Sequence, residues 1–106
     1  MTPALGRAAG LNEPPPPVTD PVAIPTSEEL VAHLRRLKIV PVITIDEPAH
    51  ASRLAAALSD GGLPCAEVTF RTPAALEALE RMTSEHSDML VGAGTVLTLK
   101  QAAQAR

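Results

Sequence analysis

The chain has 106 residues, of which 45% are hydrophobic and 20% are charged, and its formal net charge is -3. The length corresponds to about one small domain, and the apolar fraction excludes a wholly disordered chain. Nine basic residues against twelve acidic ones, with no Trp or Tyr, argue against a nucleic-acid-binding protein. No apolar run approaches the roughly 20 residues of a membrane helix. The single cysteine, Cys65, cannot form an internal disulfide, which favours a reducing, cytoplasmic location.

Prolines are concentrated at the amino terminus, where seven of the 11 lie within residues 1–25. A run of four consecutive prolines, residues 14–17, favours an extended polyproline conformation and cannot pack a core. We therefore predict a disordered Pro-rich leader over residues 1–25 and a folded region over residues 26–106. A Pro-rich docking motif is the alternative, although basic flanking residues are missing.

The folded region begins with a predicted helix. Thr26 and Glu29 form the spacing of a capping box, which predicts a helix over residues 27–37. An apolar, β-branched run over residues 39–45 follows and predicts a buried strand. Pro41 weakens that prediction because proline removes a backbone donor from the ladder.

Alternating helices and strands are predicted for the rest of the chain. The first is a helix opened by Asp46-Glu47-Pro48 and ended by Gly61-Gly62, and a strand over residues 64–70 follows it. The next helix is capped by Thr72-Pro73 and fades near residues 84–87. A strand over residues 89–91 and a helix capped by Thr98 with Gln101 complete the predicted elements.

The three predicted strands recur at a nearly constant spacing, beginning at Ile39, Cys65 and Met89. A strand followed by a helix every 25 residues or so indicates parallel strands joined by helical crossovers. Eight such units make a closed (β/α)8 barrel of about 200 residues. We therefore predict an α/β fold that is part of a (β/α)8 TIM barrel, with an N-terminal helix plus three βα units. An open doubly wound sheet is the alternative.

Glu67 is unusual because it lies in the middle of a predicted buried strand. Strand alternation places it on one face with Cys65 and Thr69, opposite an apolar face that should pack on helices. We expect the polar face to line a barrel lumen or a cleft. Arg71 follows at the carboxyl end of the strand, where α/β barrels place reactive groups. The pair suits a general acid/base beside an anion-binding group, and a structural ion pair or an edge-strand charge is the alternative.

The segment Gly92-Ala93-Gly94-Thr95 follows the third predicted strand and precedes a helix. Its glycines allow close backbone approach to a ligand, and the Thr95 hydroxyl can donate to a carboxylate or a phosphate. Leu97 occupies the position of the third glycine of a dinucleotide fingerprint, and the three histidines lack metal-ligand spacing. The sequence therefore predicts neither a nucleotide cofactor nor a metal.

Three motifs together resemble the N-terminal part of the KDPG/KHG aldolases, the 2-dehydro-3-deoxy-6-phosphogluconate and 4-hydroxy-2-oxoglutarate aldolases. They are the segments 39–42, 66–72 with the pattern EVT-x-RT, and 91–97 with VGAGTV. The resemblance covers about residues 27–106. It implies a class I aldolase on a (β/α)8 barrel, usually a homotrimer, that cleaves a 2-keto-3-deoxy sugar acid to pyruvate and an aldehyde through a Schiff base.

The resemblance also implies roles for individual residues. Glu67 matches the acid/base that handles protons, Arg71 matches the arginine near the pyruvate carboxylate, and Thr95 matches the threonine that contacts the pyruvate moiety. The family supplies its Schiff-base lysine from a later strand, and neither Lys38 nor Lys100 corresponds to it.

We therefore expect the 106-residue chain to be a barrel cut short and inactive on its own. Two alternatives stay open. The first is a non-catalytic fragment that binds a partner or complements a separate C-terminal half, and the second is a different phosphate-binding barrel enzyme. The choice between a six-carbon phosphorylated substrate and a five-carbon one also stays open.

Overall fold

A computed structural model describes residues 25–106, and the predicted leader lies outside them apart from Pro25. Helices and strands alternate along the described part. In chain order they are α1 (Ser27–Leu37), β1 (Val42–Ile43), α2 (His50–Asp60), β2 (Cys65–Thr69), α3 (Ala75–Glu85), β3 (Leu90–Gly94) and α4 (Leu99–Ala105).

The three strands form one parallel sheet in the order β1-β2-β3, with β2 in the centre. This confirms the predicted parallel βα repeat. Glu67 is in register with Val42 on one side and with Gly92 on the other. Strands that are consecutive in the chain lie side by side in the wall of a barrel and also in one half of an open doubly wound sheet. The sheet order is therefore compatible with the partial barrel without distinguishing the two architectures.

Helix α3 packs on β2 and β3 and also on α2, and both helices contribute side chains to one buried cluster with the sheet. The core between these layers is built mainly from small side chains, because the chain has only one aromatic residue. Val68 and Met82 are its largest fully buried apolar members, and the one aromatic side chain, Phe70, is partly buried against the cluster. As predicted, Val68 and Phe70 point to the helices. Alanines let the helices approach the sheet closely, and the cluster includes Ala51, Ala55, Ala66, Ala75 and Ala78.

Helix α1 begins at the predicted capping box. The Thr26 hydroxyl accepts from the Glu29 N–H at 3.2 Å, and the Glu29 carboxylate accepts from the Thr26 N–H at 2.8 Å. The helix has no buried residue, and Leu30 and Val31 on it are exposed. Local capping therefore defines this helix, while the described residues leave its apolar stripe largely uncovered.

The first strand is much shorter than predicted. Only Val42–Ile43 pair as a strand, whereas the apolar pattern predicted one over residues 39–45. Pro41 has no N–H to donate, although its carbonyl still accepts from the Glu67 N–H at 2.9 Å. Among the described strands β1 is an edge strand, so it also lacks a second neighbour. The prediction of a long strand was wrong for both reasons.

The predicted starts of α2 and α3 were also wrong. These helices begin at His50 and Ala75, and their N-cap residues, Ala49 and Ala74, make no side-chain capping bond. The Thr72 hydroxyl, which was predicted to cap α3, donates instead to the carbonyl of Ile45. The Thr72 side chain thus makes a tertiary contact and no capping bond.

The third strand runs further than predicted. It spans Leu90–Gly94, so the glycine segment predicted as a turn belongs to the strand itself. Gly92 and Gly94 pair in register with Glu67 and Thr69. The loop toward α4 begins only at Thr95, which places both glycines beside the candidate acid/base.

Candidate active site

Two of the three predicted site residues lie at the carboxyl ends of the parallel strands, and the third lies within the central strand. Glu67 is in the middle of β2, Arg71 lies two residues beyond β2, and Thr95 directly follows β3. The backbone N–H of Phe70 donates to the carbonyl of Gly94 at 2.8 Å, which holds the two strand ends side by side. Carboxyl ends of parallel strands are where α/β folds bind ligands. The structure therefore brings Arg71 and Thr95 to the same edge, next to the strand of Glu67.

Glu67 faces away from the core. Register partners in a parallel sheet project to the same face, so its neighbours there are Val42 and Gly92. Val42 is 61% exposed, and a Cβ atom built on Gly92 would meet nothing within 4 Å. The Glu67 side chain itself is half-buried. A small molecule therefore has open space directly beside this carboxylate.

The two structural explanations for Glu67 do not fit its surroundings. An edge-strand charge is excluded by the central position of β2 among the described strands. Within residues 25–106 the Glu67 carboxylate also has no ion-pair or hydrogen-bond partner. A half-buried carboxylate without a protein partner has both oxygens available to a ligand.

The position of the Glu67 side chain is defined by Gly94. A Cβ atom built on Gly94 would lie 2.7 Å from Cδ and 2.9 Å from Cγ of Glu67, so the carboxyl group lies directly over this glycine. Gly94 is two residues closer to the carboxyl end of β3 than Gly92, the register partner of Glu67. The side chain therefore leans along the sheet toward the edge where Thr95 lies.

The expectation that Cys65 and Thr69 line an open cleft with Glu67 was wrong, because both are 1% exposed. The Cys65 thiol donates to the carbonyl of Ile39 at 3.2 Å, and the Thr69 hydroxyl donates to that of Ile43 at 3.0 Å. Burial raises the pKa of the Cys65 thiol, which disfavours a nucleophilic thiolate. Of the three polar residues that alternate along β2, only Glu67 is therefore accessible.

Thr44 is a polar residue of this face that the sequence reasoning missed. Its hydroxyl lies 3.2 Å from that of Thr69, and because the Thr69 proton is directed to Ile43, Thr44 is the donor of this pair. Thr44 is exposed and directly follows β1. The threonine lies within an apolar run, and nothing in the pattern marked it.

Thr95 has an unusual backbone conformation, with a φ of 55°. The left-handed region costs a non-glycine residue roughly 1–2 kcal/mol. Such outliers are found at ligand-binding positions when the surrounding structure holds them. Arg71 is exposed, and its guanidinium forms no ion pair within residues 25–106. Both residues thus retain unused donors at the strand ends.

Neither lysine of the chain lies on a strand. Lys38 is the C-cap of α1 with a φ of 68°, and it precedes β1 at the amino edge of the sheet. Lys100 lies in the first turn of α4, and both side chains are exposed. Desolvation is one way in which a lysine amine is activated for Schiff-base formation, and neither exposed side chain is desolvated.

The structure also bears on a metal site and on membrane-spanning helices. Over residues 25–106, no group of three or more His, Cys, Asp or Glu residues is arranged to hold a metal ion. None of the helices in that range combines the length and the apolar character that crossing a membrane requires.

Known proteins similar to this chain are aldolases. Residues 30–106, well over half of the chain, match the family model for KDPG and KHG aldolase. The 2-dehydro-3-deoxy-phosphogluconate aldolase of Treponema pallidum is 49% identical over 73 residues, which are 69% of this chain and 35% of that protein. The chain thus spans about a third of the length of this curated relative.

Solved structures similar to this chain are also aldolases. The 2-keto-3-deoxy-6-phosphogluconate aldolase of Zymomonas mobilis ZM4, solved with 3-phosphoglycerate, matches with a TM-score of 0.63 and 46% identity over 71% of this chain and 36% of its own. The KDPG aldolase of Legionella pneumophila, with pyruvate captured as a covalent carbinolamine, matches with a TM-score of 0.59 and 47% identity over 62% of this chain and 32% of its own. By family match, identity and structure, the chain belongs to the KDPG and KHG aldolases.

Proposed function

We propose that this chain supplies the proton-transfer group and the carboxylate-binding edge of a lyase. The lyase cleaves a 2-keto-3-deoxy sugar acid, with or without a phosphate, to pyruvate and an aldehyde. The observation that carries the proposal is the half-buried, unpartnered Glu67 carboxylate beside the open space over Gly92. Membership of the aldolase family and the pyruvate bound covalently in the Legionella relative support it.

The chemistry of a Schiff-base aldolase requires protons to be moved at defined points. A lysine amine adds to the C2 carbonyl, and the carbinolamine hydroxyl takes up a proton and leaves as water. The C4 hydroxyl then loses a proton as the C3–C4 bond breaks, and the bond electrons pass into an enamine while the aldehyde departs. Protonation at C3 and hydrolysis release pyruvate. In the proposal Glu67 gives and takes these protons, because a single carboxyl group can act as acid and then as base.

Arg71 and Thr95 would hold the keto-acid carboxylate during these steps. A guanidinium can bind a carboxylate through two parallel hydrogen bonds, and a threonine hydroxyl adds a third donor. Their position at the carboxyl edge, toward which Glu67 leans, supports this assignment. Fixing the carboxylate at this edge would present the reacting carbons to Glu67.

The Schiff-base amine in this proposal is neither Lys38 nor Lys100, since both are exposed and off the strands. It would come from a later strand of a complete (β/α)8 barrel, of which residues 26–106 form the N-terminal part. A homotrimeric assembly of the complete enzyme and a cytoplasmic location belong to the same proposal. The 106 residues alone would then have no aldolase activity.

A chimera tests the proposal. Residues 30–106 replace the matching segment of the Zymomonas mobilis enzyme, which supplies the remaining two thirds of the chain. We expect the chimera to release pyruvate, and Glu67→Gln to lower its kcat by about 10²- to 10⁴-fold. Glu80→Gln, an exposed change on α3, is the matched control and should leave the rate unchanged. A folded chimera whose Glu67→Gln variant keeps the parent rate contradicts the proposal.

A second function, binding to a separate polypeptide, is favoured by the exposed apolar residues beside the outer strands. Ile39 and Val42 at β1 are 64% and 61% exposed, and Leu97 and Leu99 beyond β3 are 79% and 91% exposed. Each of these two strands is paired on one side only within the described sheet. Co-expression with the C-terminal two thirds of the Zymomonas mobilis enzyme tests this function. Co-purification with pyruvate release supports it, and two polypeptides that purify apart contradict it.

A further inference from the structure

We propose that Gly94 is a positioning residue that holds the Glu67 carboxyl group at the carboxyl end of the sheet. The absence of a side chain at residue 94 leaves the space on β3 that this carboxyl group occupies. The inference rests on the proposed role of Glu67 as the acid/base and adds the residue that determines where the acid lies.

The backbone does not require a glycine at residue 94. Among the glycines of residues 25–106, only Gly62 has a positive φ. Gly94 lies inside a regular parallel strand, where β-branched residues are favoured and a glycine is destabilising. A reason outside the local conformation must therefore account for this glycine.

That reason is the side chain of Glu67. A Cβ atom on residue 94 would approach Cδ and Cγ of Glu67 to 2.7 and 2.9 Å, and would come still closer to Oε2. Contacts this short require one of the two groups to move. Because β2 is paired on both sides, the movable group is the Glu67 side chain rather than its strand.

Gly92 provides an internal comparison. It lies in the same strand, two residues away on the same face, and it is the register partner of Glu67. A Cβ atom on Gly92 would meet nothing within 4 Å. A methyl group is thus accommodated at residue 92 and excluded at residue 94, although both positions are glycines of one motif.

The consequence concerns the direction of the carboxyl group. Over Gly94 it leans toward Thr95 and away from the amino end of β3. Any side chain at residue 94 would occupy this position and turn the carboxyl group back toward Gly92. An acid displaced by about 1 Å can lose on the order of 10²-fold in rate.

NMR of the 106-residue chain tests the proposal without any assay of activity. The three-bond couplings that report the Glu67 χ1 angle are compared in the parent, Gly94→Ala and Gly92→Ala. We expect a new rotamer or rotamer averaging in Gly94→Ala and parent couplings in Gly92→Ala. Parent couplings in Gly94→Ala would overturn the proposal.

Thermal unfolding of a double variant covers the case in which Gly94→Ala folds poorly. Because the Glu67 side chain has open space over Gly92 to turn into, Gly94→Ala should lower the Tm by no more than about 5 °C. Because Glu67→Ala removes Cγ, Cδ and both oxygens, Gly94→Ala should no longer lower the Tm in the Glu67→Ala background. An equal loss in both backgrounds would mean that the backbone needs the glycine, and would overturn the proposal.

These readouts separate the inference from the proposed function. If the Glu67 side chain turns in Gly94→Ala but the chimera keeps its rate after Glu67→Gln, the positioning role of Gly94 is supported and the catalytic role of Glu67 is refuted. Unchanged couplings together with a large loss of rate in Glu67→Gln refute the positioning alone.

Discussion

Thr95 combines a strained backbone with a polar side chain at the edge of the sheet. Its φ of 55° is the conformation that glycine adopts without penalty, yet the residue is β-branched. A residue chosen only for stability at this position would be glycine or asparagine. A threonine here is compatible with the proposal that its hydroxyl binds the substrate carboxylate.

Thr95→Gly separates the two properties. We expect the variant to unfold in urea at least as late as the parent, with a free energy of unfolding equal or higher by up to about 1 kcal/mol. The left-handed strain of roughly 1–2 kcal/mol is relieved, and the added chain entropy of glycine offsets about 0.5–1 kcal/mol of it. Thr95→Ala keeps the strain and is the control. A Thr95→Gly variant less stable than Thr95→Ala would contradict this account of residue 95.

At the scale of elements, the segment that contains β1 is held largely by side chains of later residues. Its carbonyls accept bonds from side chains on and just after β2, and the donor-acceptor pairs are Cys65 to Ile39, Thr69 to Ile43 and Thr72 to Ile45. These bonds supplement a ladder that Pro41 and the edge position shorten. They keep β1 against β2, and hence Val42 beside Glu67.

Thr69→Val tests the attachment of β1. We expect the free energy of unfolding to fall by about 1 kcal/mol, since a buried hydroxyl that donates to Ile43 and accepts from Thr44 is lost. Amide hydrogen exchange over residues 42–44 should accelerate as well. Thr83→Val on α3 removes a hydroxyl bonded to the carbonyls of its own helix at an exposed position, and should change the stability little. Equal losses in the two variants would argue against a special role of Thr69.

The elements also differ in how well local patterns predicted them. Helix α1 and helix α4 begin where their capping boxes placed them, because both partners of such a box lie within four residues of each other. The start of α3 was mispredicted because Thr72 found a partner 27 residues away. A complete capping box thus predicted a helix start better than the single residue Thr72 did.

At the scale of the whole molecule, the residues proposed as acid/base and as carboxylate-binding groups lie toward one end of the sheet, and neither lysine lies with them. Lys38 lies at the amino edge and Lys100 on α4. Cleavage through a Schiff base requires the amine to reach the C2 carbon while Glu67 reaches its oxygen. In the proposal, the amine therefore comes from outside these 106 residues.

Borohydride reduction in the presence of pyruvate tests that statement. We expect the intact mass of the purified 106-residue chain to stay unchanged, since neither lysine is desolvated or placed near Glu67. The Legionella pneumophila enzyme, which forms a covalent carbinolamine with pyruvate, is the positive control. A reduced pyruvate adduct mapped to Lys38 or Lys100 would refute the prediction and show that this chain carries a Schiff-base amine of its own.

The sequence by itself determined the family and the parallel βα repeat, and it led to the proposal of three site residues. Helix caps, strand-forming runs and the 25-residue spacing are short-range properties, and the EVT-x-RT and VGAGTV motifs are contiguous. Only the tertiary structure decided which polar residues are open. Cys65, Glu67 and Thr69 alternate identically along β2, yet two are buried because β1 carbonyls lie within their reach. It likewise decided that Gly94 underlies the carboxyl group of Glu67 while Gly92 borders open space, since that depends on strand register and no single segment encodes it.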